Sequence, residues 1–194
     1  MTPYDFVHLT LYGIGGTIRG RTKLQKTVYF LGIFCKNIDD LDYRPHFYGP
    51  YSDSVTDALN RLKSRGFVEE SVASFGAIGK RGFEIARHDF RLTVEGRKLA
   101  EEKIKRNPDA WRKVKSAVDR FQKAGDLDYM LMSVAAKTLF MLKESGKPAT
   151  ADQLSKQAGW LAWKVEPGEI NKSISYLREL NLVTTRPIKK PVRE

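Results

Sequence analysis

A chain of 194 residues with 34 Lys and Arg against 23 Asp and Glu carries a formal charge of +11, a balance that favours polyanionic partners. No apolar run reaches the ~20 residues that span a bilayer, and no basic residue precedes the first apolar stretch as in a secretory leader. A single cysteine, Cys35, excludes an intrachain disulfide and fits a reducing, cytoplasmic setting, while His8, His46, His88 and Cys35 lack the spacing of zinc ligands.

The first segment, VHLTLY (Val7 to Tyr12), alternates like a strand, yet it fits equally a first helix from Pro3 to Tyr12 with Phe6 and Leu9 inward. It runs into GGTIRGRT (Gly15 to Thr22), which departs from a phosphate-loop pattern only at Arg21. The remainder of a nucleotide-hydrolysing site is missing. No four-residue apolar strand ends in an acid for Mg²⁺, and Asp39, Asp40 and Asp42 sit in a polar turn. Strands and helices do not alternate as a parallel sheet requires, and the planar head of Arg21 does not replace the compact ammonium of a loop lysine. Thr22 with Gln25 reads instead as a Thr-x-x-Gln capping box that opens a helix, and Thr150 with Gln153 repeats it. Arg19, Arg21, Lys23 and Lys26 crowd that helix's amino end, where exposed amides and the dipole favour phosphate.

The helix continues to about residue 36 with Leu24, Val28 and Leu31 on one face. A short β-like piece, Tyr43 to Tyr48, leads into Gly49-Pro50. A second helix follows from about residue 52 to 65, with Val55, Leu59 and Leu62 inward and Gly66 as its stop. FVEESVAS and FEIARHDFRL flank the glycine-rich FGAIGKRG, a hairpin pattern whose tip holds Lys80 and Arg81 between Gly79 and Gly82. From Thr93 the chain is helical and strongly basic, with two helices meeting at Asn107-Pro108. Beyond a boundary at Gly125-Asp126 come helices over residues 127–144, 150–158 and 167–180, then the β-prone LVTTRPI.

An internal echo appears at a shift of about 115 residues. Val55, Leu59, Leu62, Gly66 and Phe67-Val68 fall on Ile170, Ile174, Leu177, Asn181 and Leu182-Val183. Glycine and asparagine are the residues that tolerate a left-handed cap. Each half is therefore expected to end a helix, turn sharply and enter a strand, as the third helix of a winged helix-turn-helix feeds its wing.

Arg21-Thr22-Lys23-Leu24-Gln25-Lys26 with Val28-Tyr29-Phe30-Leu31, and later Tyr48-Gly49-Pro50-Tyr51-Ser52, resemble the blocks shared by YwgA-like and Panacea (SocA-like antitoxin) proteins. The resemblance covers about residues 20 to 100. Leu92-Thr93-Val94-Glu95-Gly96-Arg97 is similar to the Leu-Thr-x-x-Gly segment that follows the wing in many winged-helix regulators. These likenesses imply a winged-helix fold, no catalytic residues, and either a transcription-related role or an antitoxin-like, protein-binding one.

The helix from Ser52 begins with Asp53 and Asp57, which suit capping better than phosphate contact. Asn171, Lys172 and Arg178 give the later helix a polar face fit for bases and phosphates, and Lys80-Arg81 on a glycine-hinged tip suit a groove or backbone contact. Trp160 and Trp163 read as core aromatics beside a helix end before they read as a stacking platform. Ser52 and Ser54 have no histidine at a catalytic spacing.

The sequence thus predicts an α+β protein of two winged helix-turn-helix-like domains, residues 1–95 and 125–194. A basic amphipathic helical connector, residues 96–124, joins them and offers a surface for a homodimer. The expected function is non-catalytic binding of double-stranded DNA by a transcriptional regulator that needs no metal or cofactor and no membrane. The expected contacts are Arg19, Arg21, Lys23, Lys26, Lys80, Arg81, Asn171, Lys172 and Arg178. The alternative is an antitoxin-like or adaptor module that binds a protein.

Overall fold

The alternating segment near the amino terminus folds as a helix. In the computed structural model, which describes residues 1–36, 38–78, 84–125 and 127–185, α1 (Pro3–Gly13) starts where the Thr2 side chain accepts from Asp5 N. Every residue from Phe6 to Leu11 is buried, so neighbours on all sides erase the one-faced pattern that marks a surface helix. β1 (Thr17–Arg19), α2 (Arg21–Cys35), α3 (Asp53–Ser64), β2 (Val68–Ile78) and β3 (Glu84–Leu92) follow. The strands form an antiparallel sheet in the order β1-β3-β2. Ile18 pairs with Phe90 and Val68 with Leu92, which places all four side chains on the buried face. The β-like piece near Tyr43 reduces to one antiparallel bridge, Arg44 to Tyr51.

α4 (Val94–Arg106) and α5 (Pro108–Lys123) meet at Asn107. This residue ends the first helix, and its side chain accepts from Ala110 N to begin the second. α6 (Tyr129–Ser145), α7 (Ala151–Trp160) and α8 (Pro167–Glu179) complete a mixed α+β fold of eight helices among the described residues. α1 packs on α3 and α5, α2 on α5 and α6, and α8 on α6 and α7. The buried apolar residues form one cluster from Phe6 to Leu180, so the two halves expected on either side of Gly125 share a core. No helix among the described residues is long and apolar enough to cross a membrane.

The internal echo is present at the helix ends. Gly66 has φ 72° and Asn181 φ 51°, the left-handed conformation that only small or locally bonding residues adopt without strain. Gly66 N donates to Lys63 O at 2.9 Å and Phe67 N to Leu62 O at 2.9 Å. Asn181 N donates to Arg178 O at 2.8 Å and Leu182 N to Leu177 O at 2.9 Å. Both ends are Schellman motifs in the same register. They diverge afterwards, because Val68 enters β2 whereas residues 183–185 form no strand.

One of the two expected capping boxes is also absent. Thr150 and Gln153 make the reciprocal pair at the start of α7, but Thr22 and Gln25 do not. α2 is capped two residues earlier, at Gly20 with φ 96° and no side-chain cap. Gln25 turns inward, donating to Ser52 O at 2.9 Å and accepting from Ser52 N at 3.1 Å.

Candidate anion-binding cleft at the amino end of α2

β1 ends in an outward Arg19, Gly20 turns the chain, and α2 opens with Arg21, Thr22 and Lys23 and no acid in its first turn. The pairing of β1 with β3 sets Arg19 opposite Asp89. Arg87 clamps Asp89 with two bonds of 2.8 Å, which holds that carboxyl below the usual carboxylate range. On β2, Glu70 accepts from Arg21 at 3.0 Å, from His88 Nδ1 at 2.6 Å and from Lys63. A carboxylate can only accept, so His88 Nδ1 carries the proton and its 3.2 Å approach to Arg21 is proximity, not a bond. Burial raises the Glu70 pKa, but the hydrogen bonds from Lys63, Arg21 and His88 outweigh it and bring the value down to about 2. Both carboxylates are thus committed, and among the described residues here Arg19, Arg21, Lys23, Lys63 and Arg87 outnumber them.

Above this cluster stands the turn from His46 to Ser52, held from both halves of the chain. Lys26 Nζ donates to Pro50 O at 2.6 Å, Gln25 grips Ser52, Ser133 Oγ donates to Tyr48 O at 2.8 Å, and Trp163 Nε1 donates to His46 O at 2.6 Å. Residues 21–26 and 48–52, two blocks apart in sequence, meet through these bonds. The turn presents Tyr48, 53% exposed, beside Tyr129, also 53% exposed, at the start of α6. Tyr129 lies one helical turn before Ser133, on the face that meets Tyr48. Together with Arg19, Gly20, Arg21, Thr22, Lys23, Ala86, Arg87 and His88 they line a cleft of about 540 Å³.

No protein-family model matches this chain, and no curated protein matches it.

The structure gathers Arg19, Arg21 and Lys23 at the cleft. Lys26 does not join them: it is 2% exposed, and its ammonium is turned into the protein. Burial, and then the charge of Lys137, bring its pKa down to about 7. A lysine four or five residues into a helix reads as surface charge unless the partner of its inward face is known. Asn171, Lys172 and Arg178 are exposed on α8, where Asn171 lines a different groove with Thr150, Gln153 and Val183. Lys80 and Arg81 lie outside the described residues. Trp163 is core at 3% exposure, whereas Trp160 is 85% exposed. Sequence reasoning passed over Arg87, Tyr48 and Tyr129 as site residues. The outward alternation of β3 pointed to the first, but the two tyrosines come together only through the packing of α6 on α2.

Proposed function

We propose that the chain is a non-catalytic DNA-binding protein, a transcriptional regulator built on a winged helix-turn-helix over residues 1–95. The order α1-β1-α2-α3-β2-β3 with the sheet order β1-β3-β2 supports that architecture. The repeated Schellman ends support reading α6–α8 as a second unit of related design. The observation that carries the reading is the basic cluster where α2 begins beside β3, in which Arg19, Arg21, Lys23, Lys63 and Arg87 outnumber Glu70 and Asp89 among the described residues. In this reading Arg19, Arg21 and Lys23 take backbone phosphates, Lys80 and Arg81 add a contact from the β2–β3 connection, and Asn171, Lys172 and Arg178 extend the footprint. α3 is better suited to position than to repel, because its leading Asp53 is paired with Arg44 at 2.6 Å.

Duplex binding measured by fluorescence anisotropy across a salt series tests this. Each phosphate contact contributes about −0.9 to the slope of log K against log salt. Arg19→Ala/Lys23→Ala should therefore flatten the slope by roughly two units. A parent protein that binds no duplex at low salt ends the proposal.

A second reading, an antitoxin-like or adaptor module that binds a protein, is favoured by the large apolar side chains exposed at Phe47, Tyr129, Met130 and Trp160.

A further inference from the structure

We propose that the cleft between the amino end of α2, β3 and the first turn of α6 binds a nucleoside phosphate. The phosphate lies at Arg19, Arg21 and Lys23, and the base lies against Tyr48 and Tyr129.

The volume of about 540 Å³ suits one small ligand. Its two ends differ in chemistry. At the polar end, three cationic side chains converge where α2 starts without an acidic residue in its first turn. A Cβ built on Gly20 meets nothing within 4 Å, so the backbone there borders open space. The carboxylates that would repel a phosphate are already engaged, Glu70 by Lys63, His88 and Arg21 and Asp89 by Arg87.

The apolar end is what a merely solvated basic face lacks. Tyr48 and Tyr129 come from elements far apart in sequence, yet both stay half exposed beside the arginines. The backbone that carries each is held in place. The turn carrying Tyr48 is bonded on both sides of that residue, at His46 O, Pro50 O and Ser52, and through Tyr48 O itself. Tyr129 opens a helix whose cap, Asp128, accepts from Met130 N and Leu131 N. Fixed aromatic faces stack on a base at low entropic cost. Ala86 adds a small side chain to the β3 wall of the cleft.

The same chemistry is offered by a free nucleotide and by an unpaired nucleotide in single-stranded DNA. The inference does not depend on duplex binding, since its contacts lie within the cleft alone.

The test is calorimetric titration of the full chain with AMP, GMP, a short oligothymidylate and inorganic phosphate. The expected result is saturable binding of a nucleotide or the oligomer, tighter than inorganic phosphate. Tyr48→Ala and Tyr129→Ala should each weaken it roughly tenfold, and Arg19→Ala should weaken both the nucleotide and inorganic phosphate. Trp160→Ala, a change at an exposed aromatic outside the cleft, should leave affinity unchanged. Because both tyrosines are half exposed, melting curves of the variants should superimpose on the parent's. Tighter binding of AMP or GMP than of the oligomer makes the occupant a soluble nucleotide; the reverse makes it an unpaired nucleotide of DNA. The inference is overturned if neither class saturates the protein, or if nucleotides bind no better than inorganic phosphate and ignore both tyrosine changes. Duplex binding that survives such a result leaves the regulator reading intact.

Discussion

Gly96→Ala in α4 inverts a general rule. Alanine is the better helix former by about 1 kcal/mol, so on an open helix face the exchange stabilises. At residue 96 an added Cβ would lie 2.1 Å from Phe67 O and 3.0 Å from the Phe67 carbonyl carbon. Ordinary contact begins at 3.4 Å, so α4 must draw back from the α3–β2 corner by the difference, 1.3 Å. Thr93 N to Phe67 O, at 3.1 Å, and Thr93 Oγ1 to Gly66 O, at 2.8 Å, tie α4 to that corner and break with it. Two bonds at about 1 kcal/mol each, with the loosened stacking of Phe67 on His8, exceed the helical gain. The expected net loss is about 2 kcal/mol, or roughly 4–8 °C in Tm for a chain of this length. Gly159→Ala in α7 is the companion, because a Cβ there meets nothing within 4 Å; it should gain up to about 1 kcal/mol. Thermal melts and urea titrations followed by far-UV circular dichroism compare the pair. A Gly96→Ala protein that melts at or above the parent's Tm refutes the backbone contact.

The repeated helix ends make a matched test: Gly66→Ala should cost about 1 kcal/mol in urea titration, and Asn181→Gly should be neutral or stabilising, since only glycine is unstrained at positive φ. Burial, reinforced by the charge of Lys103, holds the His8 imidazole at about 4 against a model-compound value of 6.5. The unfolded chain therefore takes up this proton first, and stability should fall as pH drops from about 6.5 to 4. His8→Gln, which retains a donor for Gly96 O, should make that fall shallower. Lys26 follows the same sign at higher pH, with stability lost as pH drops from 10.5 towards about 7; Lys26→Met should reduce the slope over that window.

Local chemistry was legible in the sequence where a signal is fixed by backbone alone. Gly66 and Asn181 mark turns that need positive φ whatever surrounds them, and Asn107-Pro108 divides α4 from α5 because proline fits only a first turn. The capping boxes show the limit. Thr-x-x-Gln is the same pattern at residues 22 and 150, but at 150 the glutamine faces solvent and reaches back to its cap. At 22 the glutamine lies on the inner face and is claimed by Ser52, a residue of another element. Lys26 reads as surface charge for the same reason, since its partner Pro50 O belongs to another element. At the cleft, Arg19, Arg21 and Lys23 follow one another in sequence. Tyr48 and Tyr129 become neighbours only because α6 packs on α2.

The turn from His46 to Ser52 also constrains how the chain can be divided. The bonds to Pro50 and Ser52 come from α2, and those to His46 and Tyr48 come from Trp163, beyond α7, and from Ser133 on α6. Neither partner set lies within the same half as the other, so a break at Gly125 leaves each fragment with an unfinished joint: one with the His46 and Tyr48 carbonyls lacking donors, the other with an indole and a serine lacking acceptors. Separately expressed halves should behave as fragments that recover order by complementation, and a turn with almost no regular structure is what makes the two halves interdependent.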